Sequence, residues 1–308
     1  MKVHYGGLFF GKIIPKHSLL IESNTIIIYA RNQGGTIMTI KAIMCDIDGT
    51  LLSSKGYVTD KTVEMIKKAR EEGILFGLST GRDVNSIQTF LKDWHIDGLV
   101  DLIVGTGGAE IYDYTLNISK AQYPLDGESI KEIIEHFKDM DCNFAITENG
   151  IIYAPKDDEH IQFLSEADHI PYKVVNYDEY LTEPKPKLMI ICKPDYMDQI
   201  VERAQTFKSD KFKSASLKTA SDLYEYMDPH ISKTAGLIEI LNLHDIDLKD
   251  ILTFGDADND YDMTLNAGIG VVMANGSEKT KSVADYITDD NDHDGIGNYI
   301  EKYVLHLD

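Results

Sequence analysis

The sequence is poor in cysteine and in cations, and it has no long apolar run. Cys45, Cys142 and Cys192 are the only three cysteines in 308 residues. They are too few and too scattered for a disulfide framework or a cysteine zinc site, and they fit a reducing, cytoplasmic setting. Thirty Lys and Arg stand against 51 Asp and Glu, a net charge of -21. Nucleic acids and anionic membranes are bound by Lys/Arg surfaces, so this balance argues against both as partners. The apolar pieces Leu8-Phe10 and Ile26-Tyr29 are too short and interrupted for a signal peptide or a membrane span. Internal repeats and low-complexity linkers are also missing.

What is present reads as a soluble globular chain long enough for about two domains. Residues Met1 to Ile37 stand apart. Their charge is +3, which leaves -24 for the remainder. Gln33-Gly34-Gly35 can be encoded by codons that contain a bacterial ribosome-binding sequence, with Thr36 and Ile37 as spacer. Met38 is therefore the expected natural start, and residues 1–37 a leader or non-native extension.

The chain is organised around Lys41 to Leu52. A short apolar run there ends in Asp46 and Asp48, then Gly49-Thr50. The run predicts a buried strand, and Gly49 allows a sharp turn at its end. A simple turn would use Asp and Gly, but it would not explain two acids capping an apolar strand. Thr59 predicts a helix N-cap, Val63, Ile66 and Ala69 the helix face, and Gly73 its stop. Ile74–Ser79 is a second strand ending in Thr80-Gly81-Arg82, and Val100–Val104 a third. Alternating strands and helices predict a parallel, doubly wound α/β sheet. Ala109 to Tyr123 reads as a hairpin leading away from it.

Leu125 to Met227 has another texture. It holds a helix at Ile130–Phe137, a hairpin turning at Asn149-Gly150, strands at Lys187–Cys192 and Asp222–Met227, and a helix near Tyr196–Phe207. This predicts an inserted α+β layer on an antiparallel sheet. Parallel-type patterning resumes at Lys233, which opens a helix, and continues with the strand Ile251–Phe254 and Gly255-Asp256-Ala257-Asp258-Asn259-Asp260. A closing helix is expected around Ile296–Val304. The expected organisation is a core of residues 38–124 and 228–308 with an insert of 125–227.

Four strand ends or helix starts thus carry polar groups: Asp46/Asp48, Thr80, Lys233, and Asp256/Asn259/Asp260. Open α/β sheets bind ligands at such ends. Converging carboxylates repel one another and usually hold a hard cation such as Mg2+. Thr80 and Gly81 at a helix N-terminus suit a phosphate, and Lys233 adds a point charge. Together these are the parts needed for phosphoryl transfer.

In these motifs the sequence resembles the haloacid-dehalogenase-superfamily phosphatases of the Cof-like group, which carry a large type IIB cap between their second and third motifs. Asp46-Ile47-Asp48-Gly49-Thr50, Thr80 in Ser79-Thr80-Gly81-Arg82, Lys233, and Gly255 to Asp260 match the four motifs in order. The resemblance implies that Asp46 attacks phosphorus to form an aspartyl-phosphate, and that Asp48 protonates the leaving oxygen and then activates water. It implies Mg2+ on the Asp46 carboxylate, the Asp48 carbonyl and Asp256. Thr80, Gly81, Lys233 and Asn259 would bind the phosphate, with Asp260 ordering a metal water or Lys233. The implied substrate is a small phosphorylated metabolite, a sugar phosphate or a phosphorylated cofactor. A phosphomutase shares the cap and the Asp pair. Phospho-accepting receivers share Asp, Mg2+, Thr and Lys, but place the acidic pair and the phosphorylated Asp on different strands. Where relatives often carry Asn-Gly-Ala, this chain has Gly107-Gly108-Ala109. Arg82 is read as the partner of a local carboxylate. Glu148, Asn149, Tyr153 and Tyr224 are the candidates for substrate contact from the insert.

Overall fold

The computed structural model describes residues 28–29 and 37–307. Ile28–Tyr29 pairs antiparallel with Ile37–Met38. The rest of 1–36, and with it most of the leader reading, lies outside the described residues.

The core is one eight-stranded sheet. Its first five strands are β1 (Ala42–Cys45), β2 (Leu75–Ser79), β3 (Leu102–Gly105), β4 (Glu110–Asp113) and β5 (Ile118–Ala121). The insert supplies β6 (Asn143–Glu148), β7 (Ile151–Ala154), β8 (Tyr172–Val174), β9 (Leu188–Ile191), β10 (Ala215–Lys218) and β11 (Leu223–Met227). The core then resumes with β12 (Ile251–Gly255), β13 (Ile269–Val272) and β14 (Tyr286–Ile287). The core order is β14-β13-β12-β1-β2-β3-β4-β5, parallel from β14 to β3. From β1 the chain winds one way through β2 and β3, and from β12 it winds the other way. The β12/β1 boundary is therefore the switch point, where such sheets open a crevice at the carboxyl ends of the strands.

Both core faces are covered, which is why β1, β2 and β12 read as unbroken apolar runs. Ile43, Cys45, Phe76, Leu78 and Phe254 pack on one side with residues of α1 (Asp60–Glu71), α2 (Val84–Phe90) and the helix Gly295–Tyr299. Ala42, Met44, Leu102 and Val104 pack on the other with Leu237, Ile240 and Leu241 of the helix Lys233–Leu241. Thr59 does cap α1, accepting from the Thr62 N–H, and Gly73 follows the helix at φ +83°. The hairpin read as leading away instead extends the sheet: β4 pairs antiparallel with β3, and β5 with β4. The reversal is made at Gly107 and Gly108, whose φ values of +67° and +112° fold the chain back onto β3.

The insert forms a second sheet, ordered β8-β7-β6-β9-β11-β10 and antiparallel except for β8 on β7. One face (Phe144, Ile146, Leu188, Ile190, Tyr224, Tyr226) packs on α3 (Gly127–Phe137) and the helix Met197–Thr206. The other face (Ala145, Met189, Ile191) packs on α4 (Glu159–Asp168) through Ile161 and Leu164. The parallel β7-α4-β8 unit was not visible in the sequence, because β8 is three residues long and mostly exposed. No helix among the described residues is long and apolar enough to cross a membrane.

The departure from Asn-Gly-Ala falls at Gly107, where a Cβ would meet nothing within 4 Å, whereas Gly108, common to both patterns, is the constrained position. A Cβ there would stand 2.0 Å from the Ser232 carbonyl oxygen, just before Lys233. The loop thus packs backbone to backbone against the start of the Lys233 helix. Gly108→Ala should lower unfolding stability by about 1–3 kcal/mol, the usual range for overpacking, measured as a shift of the urea midpoint at unchanged slope.

Candidate active site

Asp46 ends β1 in extended backbone, with its N–H bonded to the Phe254 carbonyl of β12 at 2.9 Å. The chain then turns at Gly49, φ +82°. A Cβ on Gly49 would lie 2.6 Å from Asp256 Oδ2, so the turn can approach the end of β12 only with glycine. Thr50 closes the same contact, its hydroxyl donating to Asp256 Oδ1 at 2.7 Å.

The Lys233 ammonium lies in the middle. It is 2.5 Å from Asp46 Oδ1 and 2.6 Å from Asp260 Oδ1, and all three residues are buried. Ser232 starts the helix that carries it, accepting from the Ala235 N–H at 3.1 Å. Asp260 is fully committed, since its Oδ2 accepts the N–H groups of Asp256 and Ala257, each at 2.9 Å. Burial alone would drive Lys233 towards neutrality. Asp260 and Asp46 outweigh it and hold the ammonium above the usual lysine range. Burial likewise raises Asp46, with Lys233 opposing and the charges of Asp260 and Asp256 adding to the rise. Asp256 is pushed up to about 6, first by burial, then by Asp260, against the hydrogen bond from Thr50.

Thr80 follows β2 and is buried, with its N–H on the Val104 carbonyl at 2.9 Å and its hydroxyl accepting from the Arg82 N–H at 3.3 Å. Asn259 sits in the turn Asp258–Asp260, and its side-chain oxygen is buried with no hydrogen-bond partner. Asp46, Asp48, Thr80, Gly81 and Asn259 line one cavity of about 340 Å³. Lys233, Asp256 and Asp260 stand behind that wall. The structure therefore brings the eight sequence-singled residues to one place, with Asp46 the meeting point.

The insert closes the cavity with Thr147, Asp168, Lys187, Met189, Leu223 and Glu225. These are not the residues chosen from sequence. Tyr224 and Tyr153, in register with Ile146, lie on the opposite face of the insert sheet, since alternate residues of a strand point to opposite sides. Glu148 is likewise turned away, accepting from Lys185 Nζ at 2.9 Å and from the Tyr180 hydroxyl. Asn149 meets Asn85 of the core, not the cavity. Lys187 and Glu225, 2.5 Å apart and buried, were missed. The available signal was a lone Lys just before a wholly apolar strand and a lone Glu inside another.

The oxygens of Asp46, Asp256 and Asp260 lie within 4.8 Å of one another, the one such group among the described residues. An all-oxygen donor set suits a hard cation. Asp260 already spends both oxygens on Lys233 and two N–H groups, which leaves Asp46 and Asp256 to face an ion.

A carboxyl raised in the folded state keeps its proton in a range where the unfolded chain has lost it. For Asp256 that range runs from about 4 to about 6. Folded protein binds the extra proton there, so stability falls as pH rises through this window. Asp256 thus contributes a loss of stability to the metal-free protein from about pH 4 to about pH 6, and Asp256→Asn should shift its slope of thermal stability against pH in the positive direction over that window. Scanning calorimetry of both proteins across the window checks it.

The sequence profile of haloacid dehalogenase-like hydrolases matches residues 43–300. YxeH of Bacillus subtilis is 25% identical over 271 residues, covering 86% of this chain and 98% of that protein. The 5-amino-6-(5-phospho-D-ribitylamino)uracil phosphatase YwtE of Bacillus subtilis is 23% identical over 288 residues, covering 86% of this chain and 98% of that one. The solved structure of the subclass IIB sugar phosphatase BT4131 superposes with a TM-score of 0.73 at 22% identity, covering 86% of this chain and 99% of that one. With four motifs meeting at Asp46 and a profile running through nearly the whole core and insert, the chain belongs to the haloacid dehalogenase-like hydrolases and is a Cof-like phosphatase.

Proposed function

We propose that this phosphatase is Mg2+-dependent, hydrolyses small phosphate monoesters such as sugar phosphates or phosphorylated cofactors, and works through an aspartyl-phosphate on Asp46. The observation that carries the reading is the placement of Asp46. It is buried, aligned by Lys233 at 2.5 Å, and open to the same cavity as Asp48, Thr80 and Asn259.

In this reading an Asp46 oxygen attacks phosphorus while the bond to the leaving oxygen breaks, and Asp48 gives that oxygen its proton. Asp48 then takes a proton from water, whose oxygen attacks phosphorus and frees Asp46 and inorganic phosphate. Thr80 and the backbone at Gly81 would hold phosphate oxygens, and Asn259 would use its amide. Lys233, kept protonated by Asp46 and Asp260, offsets charge on the phosphoryl group. A carboxylate about 4 Å from a phosphate charge is repelled by roughly 4 kcal/mol at an effective dielectric near 20. One ammonium does not balance three carboxylates and a phosphate. Asp46, the Asp48 carbonyl and Asp256 would hold Mg2+, which supplies the missing positive charge when bound.

The insert would act as a cap that excludes water and contacts the leaving group. Its wall mixes the apolar Met189 and Leu223 with Thr147, Asp168 and the Lys187–Glu225 pair, which supports a compact polar leaving group. The sugar phosphatase and ribitylaminouracil phosphatase named above support the same class.

Asp46→Asn should lower turnover by at least a thousandfold, because the amide is a poor nucleophile, and Asp48→Asn by roughly a hundredfold or more. Phosphate release from a panel of monoesters measures both, and near wild-type turnover in either variant would disprove the assigned role. Activity should vanish with chelator and return with Mg2+, without a sugar bisphosphate activator. A requirement for that activator would point to a mutase.

A further inference from the structure

The loop after β2 is where the insert sits down on the core. The Gly81 carbonyl accepts from Lys187 Nζ at 3.0 Å. Asp83 Oδ1 accepts the Gly150 N–H at 3.1 Å, and Asn85 Nδ2 donates to Asn149 Oδ1 at 3.3 Å. Between them, Arg82 reaches in both directions. Its Nε and Nη2 donate to the two oxygens of Asp48 at 2.8 and 3.0 Å. Its Nη1 donates to the Asp168 carbonyl at 3.3 Å and stands 3.6 Å from Asp168 Oδ1.

The exposures of the pair differ. The Asp48 side chain is 55% exposed and the Arg82 side chain 18%. A carboxylate on a tight turn, half in solvent, has several rotamers within thermal reach. The planar guanidinium fork fixes both oxygens at once, which a point charge does not do. An ionised carboxylate has about four lone-pair sites. The fork takes two of them and leaves each oxygen free to exchange a proton on its other side. Arg82 is in turn held by the last residue of α4, which belongs to the insert.

We propose that Arg82 is a positioning residue for Asp48 and that Asp168 sets Arg82, so that seating the insert on the core fixes the proton-transferring carboxylate in place. The inference rests on the assignment of Asp48 as acid and base. Among the described residues, no other hydrogen bond or ion pair links the insert, through one intervening side chain, to a side chain that acts on the substrate's reacting atoms.

The test compares an alkyl monoester, glycerol phosphate, with 4-nitrophenyl phosphate, whose leaving group departs without protonation. The ratio kcat/KM covers the steps up to departure of the leaving group, so it reports the acid step alone. In Arg82→Gln, kcat/KM on the alkyl ester should fall roughly ten- to a hundredfold further than on the aryl ester, part of the usual gain from general acid catalysis. Arg82→Lys, which keeps the charge and loses the fork, should fall between that variant and wild type. The isosteric Asp168→Asn should show the same leaving-group selectivity at smaller size, and it serves as the test should the Arg82 variants not fold. Equal losses on both esters would mean a structural or phosphate-binding role and would overturn the proposal, as would Arg82→Lys matching wild type. Asp168→Asn without leaving-group selectivity would overturn the link to the insert. Wild-type protein inert on both esters with Mg2+ would overturn the hydrolase reading itself, and this inference with it.

Discussion

The structure depends on one buried ion triad, the Lys233 ammonium between Asp46 and Asp260. Placing three charges beneath the sheet ends is costly, and the ion pairs and further hydrogen bonds offset that cost. Asp260 accepts two backbone N–H groups as well as Lys233, and Asp46 is fixed by its backbone to β12. Removing Lys233 would leave two buried carboxylates with no cation between them. The surrounding geometry, with glycine at 49 and 108 and a serine cap at 232, brings the backbone close enough for the triad to form.

That arrangement is stable only as a partial solution. Three acids crowd one lysine, so Asp46 and Asp256 are raised rather than comfortably ionised. The site is thus built with a deficit of positive charge at the place where a dianionic phosphate would have to approach. A hard cation would satisfy the carboxylates and the incoming phosphate together, which is the electrostatic reason for proposing a metal-assisted phosphoryl-transfer centre here.

The second sheet serves this centre from above. It docks on the loop that carries Thr80, Gly81 and Arg82, so the backbone proposed to hold the phosphate and the insert share one seat. Its own core of Phe137, Ile146, Leu188 and Tyr226 lies on the far side of the sheet. The near side can therefore vary its polar residues without disturbing that packing.

The sequence by itself determined the core and the four motif positions. Apolar runs ending in acids, threonine or lysine mark buried parallel strands and helix starts, and a doubly wound sheet has to bring such ends together. The resemblance then supplied roles that spacing alone does not give. The sequence did not reveal that the 109–123 hairpin would extend the sheet, because its edge pairing is set by the turn at Gly107 and Gly108. Nor did it show which parity of the insert strands would face the cavity. Tyr224 and Glu225 are adjacent in an alternating strand, and either could have lined the site. Only the docking of α3 and the helix Met197–Thr206 on one face turns Glu225 and Lys187 inward and Tyr224 and Tyr153 away. Arg82 was legible as a cation in search of a carboxylate. Its partners, Asp48 and Asp168, were not: Asp48 lies 34 residues away and is brought near by the pairing of β1 with β2, and Asp168, 86 residues away, meets Arg82 only when insert and core are packed together.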